Sequence, residues 1–321
     1  MISVNKLTKI YRTPFKTGNV VKDLFARSYK EHVALKDVSF EIGENELVGF
    51  IGPNGAGKTT TMKVLAGILY PTSGDIQVLG ATPFDKRPEF LKQISFIMGQ
   101  KNQTFWELPA TDAFEFNKAV YEIGDEEYKR TVGDLVDLLD ATDIIKMPVK
   151  TLSLGQRMRV ELIAALIHTP KVLFLDEPTI GLDIVAQSAI VKFIKEYQEK
   201  YKSTIMLTSH YMQDVERLAK RIIVIDQGHI LYDGKLDELV AQYSNVKKIY
   251  VTLLSPLPHD FHLHDGVNFR YEFPRVEIDS PRSHLSEVLS HITKRLEFSD
   301  ISVEDEPIEE IIKRVFTARK G

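Results

Sequence analysis

The sequence lacks cysteine, a surplus of basic residues and any long apolar run. Without cysteine the chain has neither a disulfide framework nor a thiolate metal site, which is compatible with a reducing compartment. A net charge of -4 gives no case for non-specific nucleic-acid binding, so no nucleic-acid partner is expected. No apolar run approaches the roughly 18 residues of a membrane-spanning helix, and the N-terminal MISVNKLTKI predicts an alternating strand and not a signal peptide. Any membrane role is therefore expected to come through a partner.

The length and the apolar patterns predict about two domains. The chain has 321 residues, of which 43% are hydrophobic and 27% charged, as in ordinary soluble globular proteins. Residues 1–50 predict short strands around an irregular stretch from Thr13 to His32, whose VVKDLFARSYK segment predicts a short amphipathic helix. One interpretation of that basic segment is a contact with lipid headgroups or with a basic-patch partner. The alternative is a solvated insertion between two strands. From Ala110 to Ile145 apolar residues recur with helical spacing.

The stretch GPNGAGKTT has the pattern of a phosphate-binding loop. It follows the apolar run Leu47 to Ile51 and precedes a helical pattern, which is the context that such a loop requires. Its glycines let successive backbone N–H groups converge on an anion, Lys58 adds a charge for terminal phosphates, and the hydroxyl of Thr59 suits Mg²⁺. A purely structural turn has no use for Lys58 followed by Thr59. The loop residues are Gly52, Pro53, Asn54, Gly55, Ala56, Gly57, Lys58, Thr59 and Thr60.

Two acidic residues follow a later strand that is predicted to be buried. Val172 to Leu175 is a continuous apolar run, typical of a strand buried on both faces, and Asp176 and Glu177 stand at its carboxyl end. Asp176 is expected to hold Mg²⁺ through water, and Glu177 to orient or deprotonate the water that attacks a terminal phosphate. The alternative is a polar strand terminus, which the phosphate loop earlier in the chain makes a poor explanation.

Polar residues at two further places complete the candidate set. His210 ends the strand Thr204 to Ser209 and is expected to sense the terminal phosphate, although a single histidine is ordinarily a surface or packing residue. Ser153 and Gln156 have the spacing of a capping box at a helix N-terminus.

The last seventy-odd residues predict a small α+β appendage. It contains strand-like KKIYVTLL, a strand NFRYEFPRVEI and two helices, one around HLSEVLSHITKRL and one at PIEEIIKRVFTARK. Three histidines, His259, His262 and His264, cluster in its loop, but their irregular spacing predicts solvated residues and not a metal site.

With these motifs collected, the chain resembles the ATP-binding subunit of an ABC transporter from Met1 to about Gln242. The loop is similar to the family's Walker A motif, Gln100 to its Q-loop glutamine, LSLGQ at 152–156 to its signature, VLFLDE at 172–177 to its Walker B strand, and His210 to its switch histidine. Asp183 falls at the D-loop aspartate. Tyr11 falls at the adenine-stacking aromatic, with Phe15, Phe25 and Tyr29 as competitors. The signature usually has glycine where this chain has Leu154, but Ser153 and the following N–H groups are retained.

The resemblance implies an α/β fold: a P-loop NTPase core with a mixed sheet at 1–242, an inserted α-helical subdomain at about 101–168, and a small C-terminal α+β domain at 243–321. It implies ATP and Mg²⁺ as cofactors, with Glu177, His210 and Gln100 catalytic and Thr59, Gln100 and Asp176 as metal ligands. The implied nucleotide contacts are Tyr11, Gly52 to Thr60, and, across a head-to-tail dimer, Ser153, Gly155, Gln156 and Asp183.

The resemblance also implies partners and a place of action. A family member of this kind pairs with itself or a related ATPase, binds integral-membrane permease subunits, and works at the cytoplasmic face of the cell membrane. The segment QKNQTFWELPATDAF and the C-terminal appendage resemble ATPases of multidrug, polyketide and sodium exporters, where Phe105 and Trp106 would dock the permease. Trp106 buried in the helical subdomain is the alternative.

Two other functions remain open on the sequence. The first is a soluble ABC ATPase that acts on ribosomes or DNA, although such relatives usually carry two cassettes or a long coiled coil. The second is a P-loop kinase, which explains neither LSLGQ nor His210.

Overall fold

The computed structural model describes residues 1–15, 28–99, 104–244, 246–263 and 267–317. The chain divides into two compact units, Met1–Lys235 and Leu236–Gly321. The boundary expected at 242/243 therefore differs, because the helix Leu236–Tyr243 belongs to the second unit. Within that unit, the carbonyl of Tyr243 accepts a hydrogen bond from Arg314 Nη1 at 2.7 Å. Contacts with the end of the chain, and not adjacency in sequence, decide where this helix packs.

The first unit alternates strands and helices. Its strands are β1 (Ile2–Phe15), β2 (Ser28–Ile42), β3 (Leu47–Ile51), β4 (Ser73–Val78), β5 (Ile94–Met98), β6 (Val172–Asp176), β7 (Thr204–Thr208), β8 (Arg221–Asp226) and β9 (His229–Lys235). Its helices are α1 (Lys58–Leu65), α2 (Pro88–Leu91), α3 (Ala110–Tyr121), α4 (Asp125–Leu138), α5 (Leu154–Leu166), α6 (Ile184–Tyr201) and α7 (Met212–Leu218), with 3-10 turns at Pro83–Asp85 and Val149–Thr151.

A six-stranded sheet, in the order β5-β6-β7-β3-β8-β9, forms the centre of this unit. Its strands are parallel except β9, which runs antiparallel to β8. A second, antiparallel sheet has the order β2-β1-β4. The predicted mixed sheet with helices is thus confirmed. Because parallel neighbours end at one edge, the loops after β3, β6 and β7 lie side by side.

Apolar side chains fill both faces of the central sheet. One buried cluster joins the sheet to α3, α4, α5 and α6, and includes Phe114, Leu135, Leu162 and Phe193. The other joins the sheet to α1 and to the antiparallel sheet. All five residues of β6 are buried, as the continuous apolar run Val172 to Leu175 predicts, and all five residues of β7 are buried as well. Among the described residues, no helix has the length and apolar character needed to span a bilayer.

The irregular stretch predicted from Thr13 to His32 is wrong at both of its ends. β1 continues to Phe15 and β2 begins at Ser28, so Thr13 pairs with Lys30 in an antiparallel ladder. The neighbouring pair, Arg12 and Glu31, forms an exposed ion pair at 2.9 Å. At residues 28–30, cross-strand pairing therefore overrides the local helical pattern. The rest of the predicted helix lies outside the described residues.

The second unit is an antiparallel four-stranded sheet with helices, in the strand order β11-β12-β10-β13. Its elements are α8 (Leu236–Tyr243), β10 (Val246–Leu253), β11 (Asn268–Glu272), β12 (Arg275–Pro281), a 3-10 turn at Arg282–His284, α9 (Leu285–Arg295), β13 (Phe298–Asp305) and α10 (Ile308–Thr317). Two predictions are wrong here. The single strand NFRYEFPRVEI is a hairpin, because Pro274 cannot donate to a ladder and the chain turns at Phe273–Pro274. β13 was not expected at all.

The loop histidines of the second unit form no metal centre within the described residues. His259 and His262 are exposed, and His264 lies outside those residues. No group of three histidine, aspartate or glutamate side chains in the described part of the chain is arranged to hold a metal ion.

Candidate functional site

The glycine-rich loop follows β3, which lies between β7 and β8 in the sheet. Gly57 adopts a φ of 110°, and a Cβ there would overlap the side chain of Leu35 and approach the carbonyl of Ala34. A Cβ on Gly52 would likewise overlap the carbonyl of Ile225. Gly57 is therefore required both for its backbone conformation and for space, and Gly52 is required for space. The loop is therefore held tightly against β2 and β8.

The loop presents a cation and a helix N-terminus at the same place. Lys58 is 6% exposed, and its Nζ donates to the carbonyls of Gly52 at 2.7 Å and Pro53 at 3.1 Å. Burial lowers the pKa of the Lys58 ammonium, while the charges of Glu177 and Asp176 oppose that shift. No side chain caps α1 at Gly57. An anion bound here would meet a positive charge and the positive end of the helix dipole.

Asp176 connects the loop to the sheet. Its Oδ2 accepts from Thr59 Oγ1 at 2.8 Å, and its Oδ1 accepts from Thr208 Oγ1 at 2.8 Å. Asp176 is 8% exposed, so its carboxylate is held by both hydroxyls in a nearly dry environment. The donor set of Thr59 and Asp176 consists of hard oxygen atoms, which suits Mg²⁺. The predicted metal ligands Thr59 and Asp176 are thus brought together.

Glu177 and His210 face each other at the ends of neighbouring strands. His210 Nε2 lies 2.8 Å from Glu177 Oε1, and the two side chains are 35% and 15% exposed. The backbone of Glu177 has a φ of 57°, which is uncommon for a residue with a Cβ. Its amide donates to both the carbonyl and the hydroxyl of Thr208, at 3.1 and 3.0 Å. A strained backbone held by two hydrogen bonds is typical of a functional position.

Tyr11 lies beside the phosphate loop, and Gln100 falls outside the described residues. The hydroxyl of Tyr11 is 3.4 Å from Thr60 Oγ1, and its ring is partly exposed. Of the competing aromatics, Tyr29 pairs with Pro14, near the end of β1 and the start of β2. Gly99, which precedes Gln100, donates its amide to the Asp176 carbonyl at 3.0 Å.

The signature residues form the N-terminus of α5. Gln156 N donates to Ser153 Oγ at 3.3 Å and Ser153 N donates to Gln156 Oε1 at 2.9 Å, so the predicted capping box is confirmed. Gly155 packs against the start of α6, where a Cβ would approach Ala186. Asp183 caps that helix by accepting from Ala186 N at 2.8 Å. The structure therefore brings the signature and the predicted D-loop aspartate together.

This second group lies at an exposed surface with an apolar character. Ser153 and Asp183 are exposed, while Ile184 and Val185 are 84% and 76% exposed and Leu154 is 36% exposed. Apolar side chains of this kind beside a helix N-terminus are typical of an interaction surface.

Trp106 and Phe105 are exposed, so the alternative of a buried Trp106 is wrong. Their exposed fractions are 47% and 42%. The Arg157 guanidinium lies 5.8 Å from the Trp106 ring centroid, and Phe105 packs edge-on against Phe116 of α3 at 5.5 Å. Further along the same helix, Val120 helps to line an apolar groove of about 550 Å³ between α3 and the end of α1.

Sequence reasoning missed two residues of this region. Thr208 stands at the end of β7 beside Asp176, and its position at a strand terminus was the signal that could have indicated it. Asp214 lies 2% exposed on α7, where it accepts hydrogen bonds from Thr179 and Gln187. No local pattern distinguishes it from an ordinary helix aspartate.

Comparisons with known proteins agree with this geometry. A family profile described as ABC transporter matches residues 35–180. The ABC transporter ATP-binding protein NatA of Bacillus subtilis (strain 168) is 33% identical over 206 residues, which cover 64% of this chain and 83% of NatA. The energy-coupling factor transporter ATP-binding protein EcfA2 of Clostridium perfringens (strain 13 / Type A) is 33% identical over 256 residues, covering 77% of this chain and 84% of EcfA2.

Solved structures share the fold. One described as the ATP-binding subunit of an ABC transporter has a TM-score of 0.63 at 24% identity, covering 76% of this chain and 93% of that one. The fold and the loop define a P-loop nucleoside triphosphatase. Within that class, the chain belongs to the ABC transporter family of ATP-binding proteins, and it is an ATPase.

We expect Lys58→Ala to raise the Kd for ATP by about 10- to 100-fold, the range for losing a hydrogen bond to a charged group. The measurement is titration with a fluorescent ATP analogue or calorimetry. Lys63→Ala is the matched control, since Lys63 lies in the last turn of the same helix. Unchanged ATP affinity in a folded Lys58→Ala variant would contradict the assignment of the loop.

Proposed function

We propose that this chain binds ATP with Mg²⁺, hydrolyses it at a site completed by a second ATPase subunit, and thereby powers export by a membrane permease. The observation that carries the proposal is the convergence of Lys58, Asp176 and Glu177 at one edge of the sheet, with His210 2.8 Å from Glu177. A cation, a hard-metal ligand and a candidate base at adjoining loops are what phosphoanhydride hydrolysis requires.

The triphosphate would lie in the glycine-rich loop. Lys58 would exchange the carbonyls of Gly52 and Pro53 for phosphate oxygens, because an ammonium binds an anion more strongly than a neutral carbonyl. Tyr11 would stack on the adenine, and its hydroxyl contact with Thr60 supports that assignment because it puts the ring beside the loop.

Thr59 and Asp176 would hold the magnesium ion, with Gln100 as a third ligand implied by the family resemblance. When bound, Mg²⁺ neutralises charge on the phosphate oxygens. The support for this role is the 2.8 Å hydrogen bond between Thr59 and Asp176, because it brings a hydroxyl and a carboxylate to one point at the loop. Thr208 orients the carboxylate by donating to its other oxygen.

Glu177 would orient the attacking water and accept its proton. The Glu177 side chain is 15% exposed, so water reaches it while most of its surroundings are protein. With a proton on Nε2, His210 donates to Glu177 and keeps the carboxylate in one orientation. The same N–H group suits a terminal phosphate oxygen once a nucleotide occupies the loop.

A head-to-tail dimer would bring the signature of one subunit onto the nucleotide of the other. Ser153 stands exposed at the N-terminus of α5, where a helix dipole favours an anion. The exposed Ile184 and Val185 beside it would gain from burial against a second subunit. Leu154, in place of the usual glycine, is only partly exposed and leaves Ser153 accessible.

The permease would dock at the aromatic edge of the helical subdomain. Phe105, Trp106 and Phe116 are exposed there, and the groove that Val120 helps to line is largely apolar. An exposed aromatic anchor next to an apolar groove suits a short helix from a partner. Docking of this kind would hold the chain at the cytoplasmic face of the membrane. Export is assigned from the resemblance of the Phe105–Trp106 segment and the second unit to exporter ATPases.

Glu177→Gln should retain ATP binding and lose about 100- to 10,000-fold in turnover, the usual range for a missing general base. Steady-state release of phosphate measures the rate, and nucleotide titration measures binding. Glu216→Gln, an exposed change on α7, serves as the control. Near-normal hydrolysis in Glu177→Gln would overturn the role assigned to this residue.

Ser153→Arg should abolish hydrolysis while the monomer keeps its ATP affinity within about threefold, because the signature acts across the dimer. Light scattering with ATP in the Glu177→Gln background reports dimer formation, which the added arginine should prevent. Ser153→Thr keeps a cap and a small side chain, and is expected to hydrolyse ATP normally. Wild-type turnover in Ser153→Arg would count against the dimer.

Trp106→Ala should leave basal ATPase activity intact and weaken co-purification with a polytopic membrane protein in mild detergent. Tyr70→Ala removes another exposed aromatic outside the groove lining and serves as the control. Unaltered co-purification would remove Trp106 from the docking surface. If the wild-type chain brings down no polytopic protein, the soluble ATPase that acts on ribosomes or DNA becomes the better assignment.

A further inference from the structure

A buried carboxylate lies behind the Glu177–His210 pair. Asp214 is 2% exposed and sits in the first turn of α7. Its Oδ2 accepts from Thr179 Oγ1 at 2.7 Å and its Oδ1 accepts from Gln187 Nε2 at 2.8 Å. Ser209 Oγ lies 3.5 Å from Oδ2. A carboxylate withdrawn from water in this way depends on its hydrogen-bond donors, and the bonds it forms are charge-assisted.

The donors belong to three different segments of the candidate site. Thr179 lies in the turn that begins at Glu177, where the amide of Ile180 donates to the Glu177 carbonyl. Ser209 immediately precedes His210. Gln187 is in α6, and its backbone amide donates to the backbone carbonyl of Asp183 at 2.8 Å. One side chain therefore connects the turn after the candidate base, the loop of the candidate sensor and the helix that begins at Asp183.

The position of Glu177 depends on such connections. Its φ of 57° is retained only if the surrounding structure fixes the turn on both sides. Thr208 fixes the amide of Glu177, on the strand side. Asp214 fixes the turn on the other side through Thr179, which is itself 2% exposed. Loss of the second restraint would free both loops while leaving the phosphate loop untouched.

We propose that Asp214 is a positioning residue for hydrolysis. It fixes the positions of Glu177 and His210 relative to each other and to the Asp183 segment. The inference rests on the proposed function, because it assigns Asp214 a role only through Glu177 and His210. Asp214 touches neither nucleotide nor metal in this assignment. Its effect is therefore expected in kcat, with little change in the KM for ATP.

Asp214→Ala should lower kcat by about 10- to 100-fold, the cost of misplacing a reacting group by about 1 Å, and change the KM less than threefold. Asp214→Asn should restore kcat to within about threefold, since its carbonyl accepts from Gln187 and its amide donates to the Thr179 hydroxyl. Glu216→Gln, exposed on the same helix, is the control and should match the wild type. Wild-type kcat in Asp214→Ala, or equal losses in the two variants, would overturn the proposal.

Should Asp214→Ala fail to fold, Thr179→Val provides the second variant. It keeps the carboxylate and the side-chain volume but removes the hydroxyl that donates to Asp214. The expected result is the same, a lower kcat at an unchanged KM, with a melting temperature that shows a folded protein. A folded Thr179→Val variant with wild-type kcat would also overturn the proposal.

A double-mutant cycle separates positioning from a general structural role. In the Glu177→Gln background, Asp214→Ala should cost less than about threefold in single-turnover hydrolysis of radiolabelled ATP, because the base it positions is already absent. An equal fractional loss in both backgrounds would show that Asp214 acts independently of Glu177. If Glu177→Gln itself turns over normally, the proposed function fails; if it is impaired while Asp214→Ala is normal, only the positioning role fails.

Discussion

The candidate site depends on the carboxylate of Asp176, which two hydroxyls from different elements hold from opposite sides. Thr59 is the second residue of α1, and Thr208 ends the neighbouring strand β7. Asp176 is 8% exposed, so each of these bonds replaces water that its carboxylate has lost. The restraint is long-range, because it joins the start of the phosphate helix to two central strands. The loop, the acidic strand end and the β7 terminus are consequently joined through one carboxylate.

The parallel strands explain why these groups meet. β3, β6 and β7 are adjacent and point the same way, so polar residues that follow each strand emerge at one edge. Full burial of β6 and β7 makes that edge rigid, because the strands have apolar contacts on both faces. The strained backbone of Glu177 is tolerated on such a foundation, since hydrogen bonds from its amide to Thr208 offset the cost of the φ of 57°.

Local chemistry made much of this site predictable. The loop, the acidic pair after β6, His210 and the cap at Ser153 each have a sequence pattern with a physical reason, and the structure brings the described ones to the expected element ends. Asp214 acts through contacts with residues far away in sequence, so no local pattern marks it, and Thr208 is marked only by its position at the end of a strand. The prediction of an irregular stretch from Thr13 to His32 is wrong at its described ends because cross-strand pairing between β1 and β2 decides the conformation there.

The two halves of the candidate site differ in how they are built. Lys58 and Asp176 are almost fully buried and are fixed by several hydrogen bonds, whereas Ser153 and Asp183 are exposed and are fixed mainly by capping the helices that they begin. Side chains that must meet a ligand within the same chain benefit from rigidity, because it removes the cost of ordering them on binding. Residues that face a second subunit in the proposed dimer must stay accessible, and a helix cap restrains them while it leaves their surface free. Asp214 joins these halves, since Gln187 in the helix capped by Asp183 and Thr179 in the turn after Glu177 both donate to its carboxylate.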